Sequence, residues 1–241
     1  MSEFLESMPA AYASAFDANE VAEHARVAAR RGAQLVHAEL VSGREGPQVC
    51  LVADDRPGLL ALVTDALLVH GLDIQNAHVY CRQRRDGQSE AVDLFQLAHQ
   101  GASPDDPGIG QAELSAFLQT LSELIAEQVL AASRTSSAPS SGPPKARVYF
   151  ELEALRRGEF ALLVEAPDSE GLLNAITTAL HDQDVRILSS QIRTEAGMAR
   201  DRFELESNDR EPLSAVRLCD IQQAVHAGLP TPPRRSRPGT G

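Results

Sequence analysis

Set Gly58 over Gly171, and the stretch ADDRPGLLALVTDALLVHGLDI, residues 53–74, lies on APDSEGLLNAITTALHDQDVRI, residues 166–187, without a gap. Asp55 meets Asp168, Leu59-Leu60 meets Leu172-Leu173, Thr64 meets Thr177, Ala66-Leu67 meets Ala179-Leu180, and Ile74 meets Ile187. Further on, AVDLFQL lies over ARDRFEL once a shorter loop is allowed, which matches Ala91, Asp93, Phe95 and Leu97 with Ala199, Asp201, Phe203 and Leu205. Self-similarity of this kind constrains a fold more than composition does, because both copies must satisfy the same local rules. The chain holds one folding unit twice.

The local patterns agree between the copies. QVCLVA and FALLVEA are short apolar strand signals, followed by apolar residues at helical spacing: Leu59, Leu62, Val63, Ala66 and Leu67, or Leu172, Ala175, Ile176, Ala179 and Leu180. Ala77, Val79 and Cys81 then alternate with polar neighbours, QRRDGQ offers an Asp-Gly turn, and EAVDLFQL continues as a strand, which predicts a hairpin. AELSAFLQTLSELIAEQVL and PLSAVRLCDIQQAVHAG predict a second helix in each copy. Upstream, AQLVHAELV and ARVYFELEAL predict edge strands at 34–41 and 147–154, antiparallel to strands at 48–53 and 160–166. The order strand, strand, helix, strand, strand, helix predicts an α+β fold of two ferredoxin-like units, each a four-stranded antiparallel sheet with two helices on one face. Open strand edges in such layers need cover, so the units are expected to pair with each other or with a second chain.

AASRTSSAPSSGPPKA at 131–146 and the end of the chain from 229 to 241 are rich in Ser, Pro and Gly and read as linker and tail. This divides the chain into an N-terminal helical segment (1–33), a first unit (34–130), the linker, and a second unit (147–228). Thirty-four acidic against 22 basic residues give a net charge of −12, the wrong sign for binding a phosphate backbone. Three widely spaced cysteines form no Cys-x-x-Cys pair, and no basic leader or run of about 18 apolar residues occurs. A cytoplasmic protein with no nucleic-acid or membrane partner is expected. No P-loop, Gly-x-Ser-x-Gly or His-x-x-x-His pattern is present, so neither a catalytic constellation nor a metal or cofactor site is expected.

The polar turn Asp55-Arg56-Pro57-Gly58 has two readings. A helix N-terminus presents unpaired N–H groups and positive dipole potential, and a glycine lets a ligand approach the backbone. Asp55 or Asp168 could then meet an ammonium group, so the turn fits the two charged ends of a free amino acid. Equally, an Asp ahead of a helix is an ordinary cap, with Pro57 at the first helical position and Ser169 as N-cap of the second copy. Spacing leaves both open.

Asp-Arg-Pro-Gly-Leu-Leu, a helix, Gly-Leu-Asp-Ile and a hairpin ending AVDLFQL resemble the ACT domain, a small amino-acid-sensing module, over most of 34–130, with a degenerate second copy over 147–228. FLESMPAAYASAFDANEVAEHARVA at 4–28 is similar to the segment ahead of the tandem ACT pair in bacterial PII uridylyltransferase/uridylyl-removing enzymes. The resemblance implies a regulatory region that senses glutamine in nitrogen signalling, alongside a protein partner and without catalytic halves of its own. It implies ligand contacts at Asp55, Arg56, Pro57, Gly58, Leu59 and Asp73, and at Asp168, Gly171 and Leu172 in the second copy. There Ser169-Glu170 replaces Arg-Pro and Arg186 replaces the second polar position. A ligand-free ACT pair used for dimerisation, and a PII-modifying enzyme, are the rival readings.

Overall fold

The computed structural model describes residues 2–44, 46–101, 108–128 and 146–230. The expected linker, but for Ala146, and the expected tail beyond Pro230 lie outside the described residues. Three N-terminal helices, α1 (Ser2–Ser7), α2 (Ala10–Ala15) and α3 (Ala18–Arg31), precede β1 (Val36–Gly43), β2 (Gly46–Asp54), α4 (Leu59–Val69), β3 (Leu72–Gln83), β4 (Ser89–His99) and α5 (Gln111–Gln128). The second half runs β5 (Arg147–Phe150), α6 (Leu152–Arg156), β6 (Phe160–Pro167), α7 (Leu172–Asp182), β7 (Val185–Glu195), β8 (Met198–Ser207) and α8 (Ala215–Gly228).

The eight strands of the described residues form one sheet in the order β1-β2-β4-β3-β7-β8-β6-β5, and every pair is antiparallel. The α+β class is as expected, and the halves meet edge to edge: β3 pairs with β7 and makes the sheet continuous. Within this sheet the halves run in mirrored order. His78 pairs with Gln191, its own counterpart in the repeat, so a pseudo-twofold axis passes through that pair. The Oγ1 atoms of Thr64 and Thr177, a matched pair 113 residues apart, meet at 3.3 Å where α4 packs on α7.

The edge strand of the second half departs from expectation. Only Arg147–Phe150 pairs with β6, and Leu152–Arg156 turns into the short helix α6 where continued strand or a turn was predicted. Leu-Glu-Ala-Leu-Arg is a run of good helix formers with Glu153 and Arg156 three apart, paired at 2.6 Å, so local preference wins once the strand has covered its partner.

One face of the sheet carries the main core. Leu51, Val79 and Phe95 of the first half, and Leu162, Ile192 and Phe203 of the second, pack under α4, α5, α7 and α8 together with Leu229. The other face of the first half is covered by α1–α3 through Tyr12, Phe16, Val27, Cys50, Val52 and Tyr80. Asp17 and Glu20 form a capping box that starts α3, with Asp17 Oδ1 accepting from the Glu20 N–H at 3.1 Å and Glu20 Oε2 from the Asp17 N–H at 2.9 Å. On the same face of the second half, Arg202 bonds Glu204 at 2.7 Å and Glu151 at 3.3 Å. Among the described residues, no helix long and apolar enough to cross a membrane occurs.

Candidate functional site

The two glycine turns have the same construction. Gly58 and Gly171 adopt left-handed φ angles of 77° and 73°, a region that favours glycine, and each forms the N-cap of its helix. The Asp55 N–H donates to the Ser89 carbonyl and the Asp168 N–H to the Gly197 carbonyl, both at 3.0 Å. The Leu59 N–H then closes on the Arg56 carbonyl at 3.2 Å, as the Leu172 N–H does on the Ser169 carbonyl at 3.1 Å.

These bonds decide the capping question. Among the described residues no side chain caps either helix, and the hydroxyl of Ser169 finds no hydrogen-bond partner. Pro57 stands before the N-cap rather than at the first helical position. The Leu59 N–H is bonded within the turn and the Leu62 N–H closes the first helical bond on the Gly58 carbonyl, so the N–H groups of Leu60 and Ala61 stand between them at the start of α4.

Each turn faces the other half of the molecule across the axis. Asp55, Arg56, Pro57, Gly58 and Leu59 line a cavity of about 40 Å³ with Val185, Arg186 and Ile187. Asp168, Gly171 and Leu172 line a second cavity, also about 40 Å³, with Leu72, Asp73 and Ile74. Asp73 therefore does not join Asp55. The chain after α4 feeds β3, which crosses to the partner turn, so the residues the sequence groups in one site are divided between two. Matching bulges between Ile74 and Asn76 and between Ile187 and Ser189 bend β3 and β7 beside these cavities.

Their electrostatics differ. In the first cavity Asp55 pairs with Arg186, linking the two halves, and Arg186 Nη1 also lies 3.8 Å from Glu206. Asp93 on β4 faces the same cavity, and burial, with Asp55 nearby, raises its carboxyl well above the usual range. Burial raises the Cys81 thiol in the same way, with Asp55 and Asp93 adding to it. In the second cavity burial first, then Asp168, raises Asp73, and burial lifts Asp201 to about 7.

Asp93, Asp201 and His181 line these cavities although motif reading did not select them, and Arg186 entered only as a departure at the second polar position. Asp93 and Asp201 could have been found: they match in the repeat and fall in register with inward-facing Phe95 and Phe203, where an unpaired carboxyl is costly. Among the described residues no group of three His, Cys, Asp or Glu is placed to hold a metal ion.

No protein-family model matches the chain. It is similar to proteins named bifunctional uridylyltransferase/uridylyl-removing enzyme: one from Ralstonia nicotianae, 31% identical over 71% of this chain and 20% of that protein. Others come from Chromobacterium violaceum, 28% identical over 78% of this chain and 22% of the relative, and Phenylobacterium zucineum, 27% over 93% and 24%. The chain thus spans about a fifth to a quarter of the length of these relatives. Among solved structures, a putative glycine cleavage system transcriptional repressor aligns with 74% of this chain and 88% of its own at 13% identity and a TM-score of 0.25. A protein from Galdieria sulphuraria aligns with 66% of this chain and 78% of its own at 21% identity and a TM-score of 0.21.

Proposed function

We propose that this chain is a regulatory module of two ACT-type units that senses a free amino acid, glutamine first among candidates, in the cavity lined by Asp55 and Arg186. One observation carries the reading: a carboxylate and a guanidinium from opposite halves face each other across the helix N-terminus. A zwitterion inserted between them exchanges one ion pair for two. Its ammonium meets Asp55, and its carboxylate meets Arg186 and the N–H groups of Leu60 and Ala61. A cavity of about 40 Å³ holds a few waters and not a glutamine, so binding has to separate the pair and move one half against the other. A ligand that must shift the halves reports its presence by that shift.

The names of the relatives and the resemblance of the Asp-Arg-Pro-Gly-Leu-Leu turn support a place in nitrogen signalling, with a protein partner and without catalysis in this chain. The rival reading, an ACT pair that has lost its ligand and serves as an interaction surface, draws on the same ion pair, since Arg186 already satisfies Asp55. Isothermal calorimetry and melting curves with a panel of amino acids separate the two. Glutamine at one hundred times its Kd contributes roughly 2.7 kcal/mol and raises Tm by several degrees. Asp55→Ala and Arg186→Ala each abolish the response, whereas Asp168→Ala leaves it. If no amino acid gives heat or a shift, the interaction-module reading replaces the sensor.

A further inference from the structure

The second cavity is chemically unlike the first, although the repeat makes them counterparts. Where the first pairs Asp55 with Arg186, the second is lined by Asp168 and Asp73. No Lys, Arg or His is among the described residues that line it. Asp201 also lines it, only 3% exposed, and its Oδ1 atom has no hydrogen-bond partner. The half-buried Asp73, the exposed Asp168, the buried Asp201 and an unpartnered Ser169 hydroxyl therefore line a space of about 40 Å³ with no cationic side chain among its described lining. A buried acceptor left without a donor is costly, and a fold that keeps one facing a cavity has room for a donor from outside.

We propose that this cavity binds a primary ammonium group, R–NH3+, on the unpartnered Oδ1 of Asp201, with Asp73 and Asp168 supplying negative charge at the cavity wall. An ammonium carries donors and no acceptor, which suits a wall that offers acceptors and no cationic side chain, and its bond to a carboxylate is charge-assisted. A zwitterionic amino acid fits poorly, because its carboxylate would lie among three acids with no cation to meet it. A divalent metal fits no better, since the described residues place no three such ligands within coordinating reach. The organic part of the ligand would lie on Leu67, Leu68 and Leu72 at the cavity wall. Amino-acid sensing at Asp55 and ammonium binding here stand or fall separately.

The test is thermal denaturation of the whole chain at pH 8 with methylammonium chloride, against potassium chloride and tetramethylammonium chloride at equal ionic strength. Methylammonium at one hundred times its Kd raises Tm by about 5–10 °C, and the two controls, which cannot donate hydrogen bonds, do not. Asp201→Asn melts no lower than the wild type and loses the response. Asp73→Asn, at a more exposed position, weakens binding at least tenfold and serves as the reporter if the first variant does not fold. Asp55→Ala keeps the full response, which separates this cavity from the other. An equal shift with potassium, no shift in the wild type, or an intact response in both Asp73→Asn and Asp201→Asn overturns the assignment.

Discussion

Two buried titratable residues pull stability in opposite directions with pH. Asp201, ordinarily 3.8, is lifted to about 7 by burial, with Asp168 adding to the rise. Between these values the folded state keeps a proton that the unfolded chain has released, so stability falls as pH rises from about 4 to about 7, by up to roughly 4 kcal/mol. His24 runs the other way. Enclosed by Tyr12, Phe16 and the α3 helix, with its Nδ1 on the Tyr12 hydroxyl at 2.7 Å, it is lowered by desolvation from 6.5 to about 4, against the pull of Glu20 and Glu23. As pH falls from about 6.5 to about 4 the unfolded chain takes up a proton that the folded state refuses, and up to roughly 3 kcal/mol is lost. Urea denaturation of single variants resolves the two. Asp201→Asn gains on the wild type at pH 8 relative to pH 5, and His24→Phe gains at pH 4.5 relative to pH 7, each by at least about 1 kcal/mol. The opposite sign in either series contradicts the burial argument for that residue.

Elements show which parts of the fold were legible in the residues. The strand–helix–hairpin order was readable because each apolar period is local, and the Asp86-Gly87 turn forms as its chemistry predicts, with Gly87 at φ 81°. The helix α6 was missed because Val148 and Phe150 set an alternating pattern that the five residues of α6 do not break clearly. The division of the site was missed for a different reason: Asp55 and Asp73 flank one helix in sequence, but which turn Asp73 faces is decided by the pairing of β3 with β7, a long-range choice. The ion network holding α3 to the sheet was likewise invisible. Glu90, 2% exposed, accepts from Arg31 at 3.0 Å and from Arg82 at 2.7 Å, while Arg31 also reaches Asp54, the residue before the turn, at 2.8 Å. Removing one member of a buried pair leaves charge without compensation, so Glu90→Gln should cost about 3 kcal/mol in denaturant unfolding. At the turns, Gly58→Val and Gly171→Val force a β-branched residue into left-handed backbone and should each cost at least about 1–2 kcal/mol, nearly equally, because the two turns share one conformation. Unequal costs, with one variant neutral, would show that the turns are not equivalent.

At the scale of the whole molecule the question is whether the halves fold as one body. Each half has its own helices, and in a tandem repeat that permits independent melting. Here three things join them: the β3–β7 ladder from Asn76–Arg193 to Tyr80–Ser189, the packing of α4 on α7 with Asn174 donating to Asp65 at 2.7 Å, and the Asp55–Arg186 pair. Separating the halves would expose Ala77, Val79 and Ile192 beside an unpaired central edge, so partial unfolding loses burial as well as hydrogen bonds. One cooperative transition is therefore expected, with coincident changes by circular dichroism and calorimetry. Gln191→Pro gives the sharper measurement. Residue 191 sits on the pseudo-twofold axis opposite His78, in strand interior on both sides. Proline there removes a backbone donor and belongs on sheet edges only, so about 3 kcal/mol or more should be lost. If the halves are coupled, hydrogen exchange in β2 and β4, which Gln191 does not touch, accelerates together with exchange in β6 and β8. A variant whose first half keeps wild-type protection while the second opens would mean that the junction joins two bodies without making them one, and that a ligand prising Asp55 from Arg186 has no continuous sheet through which to act.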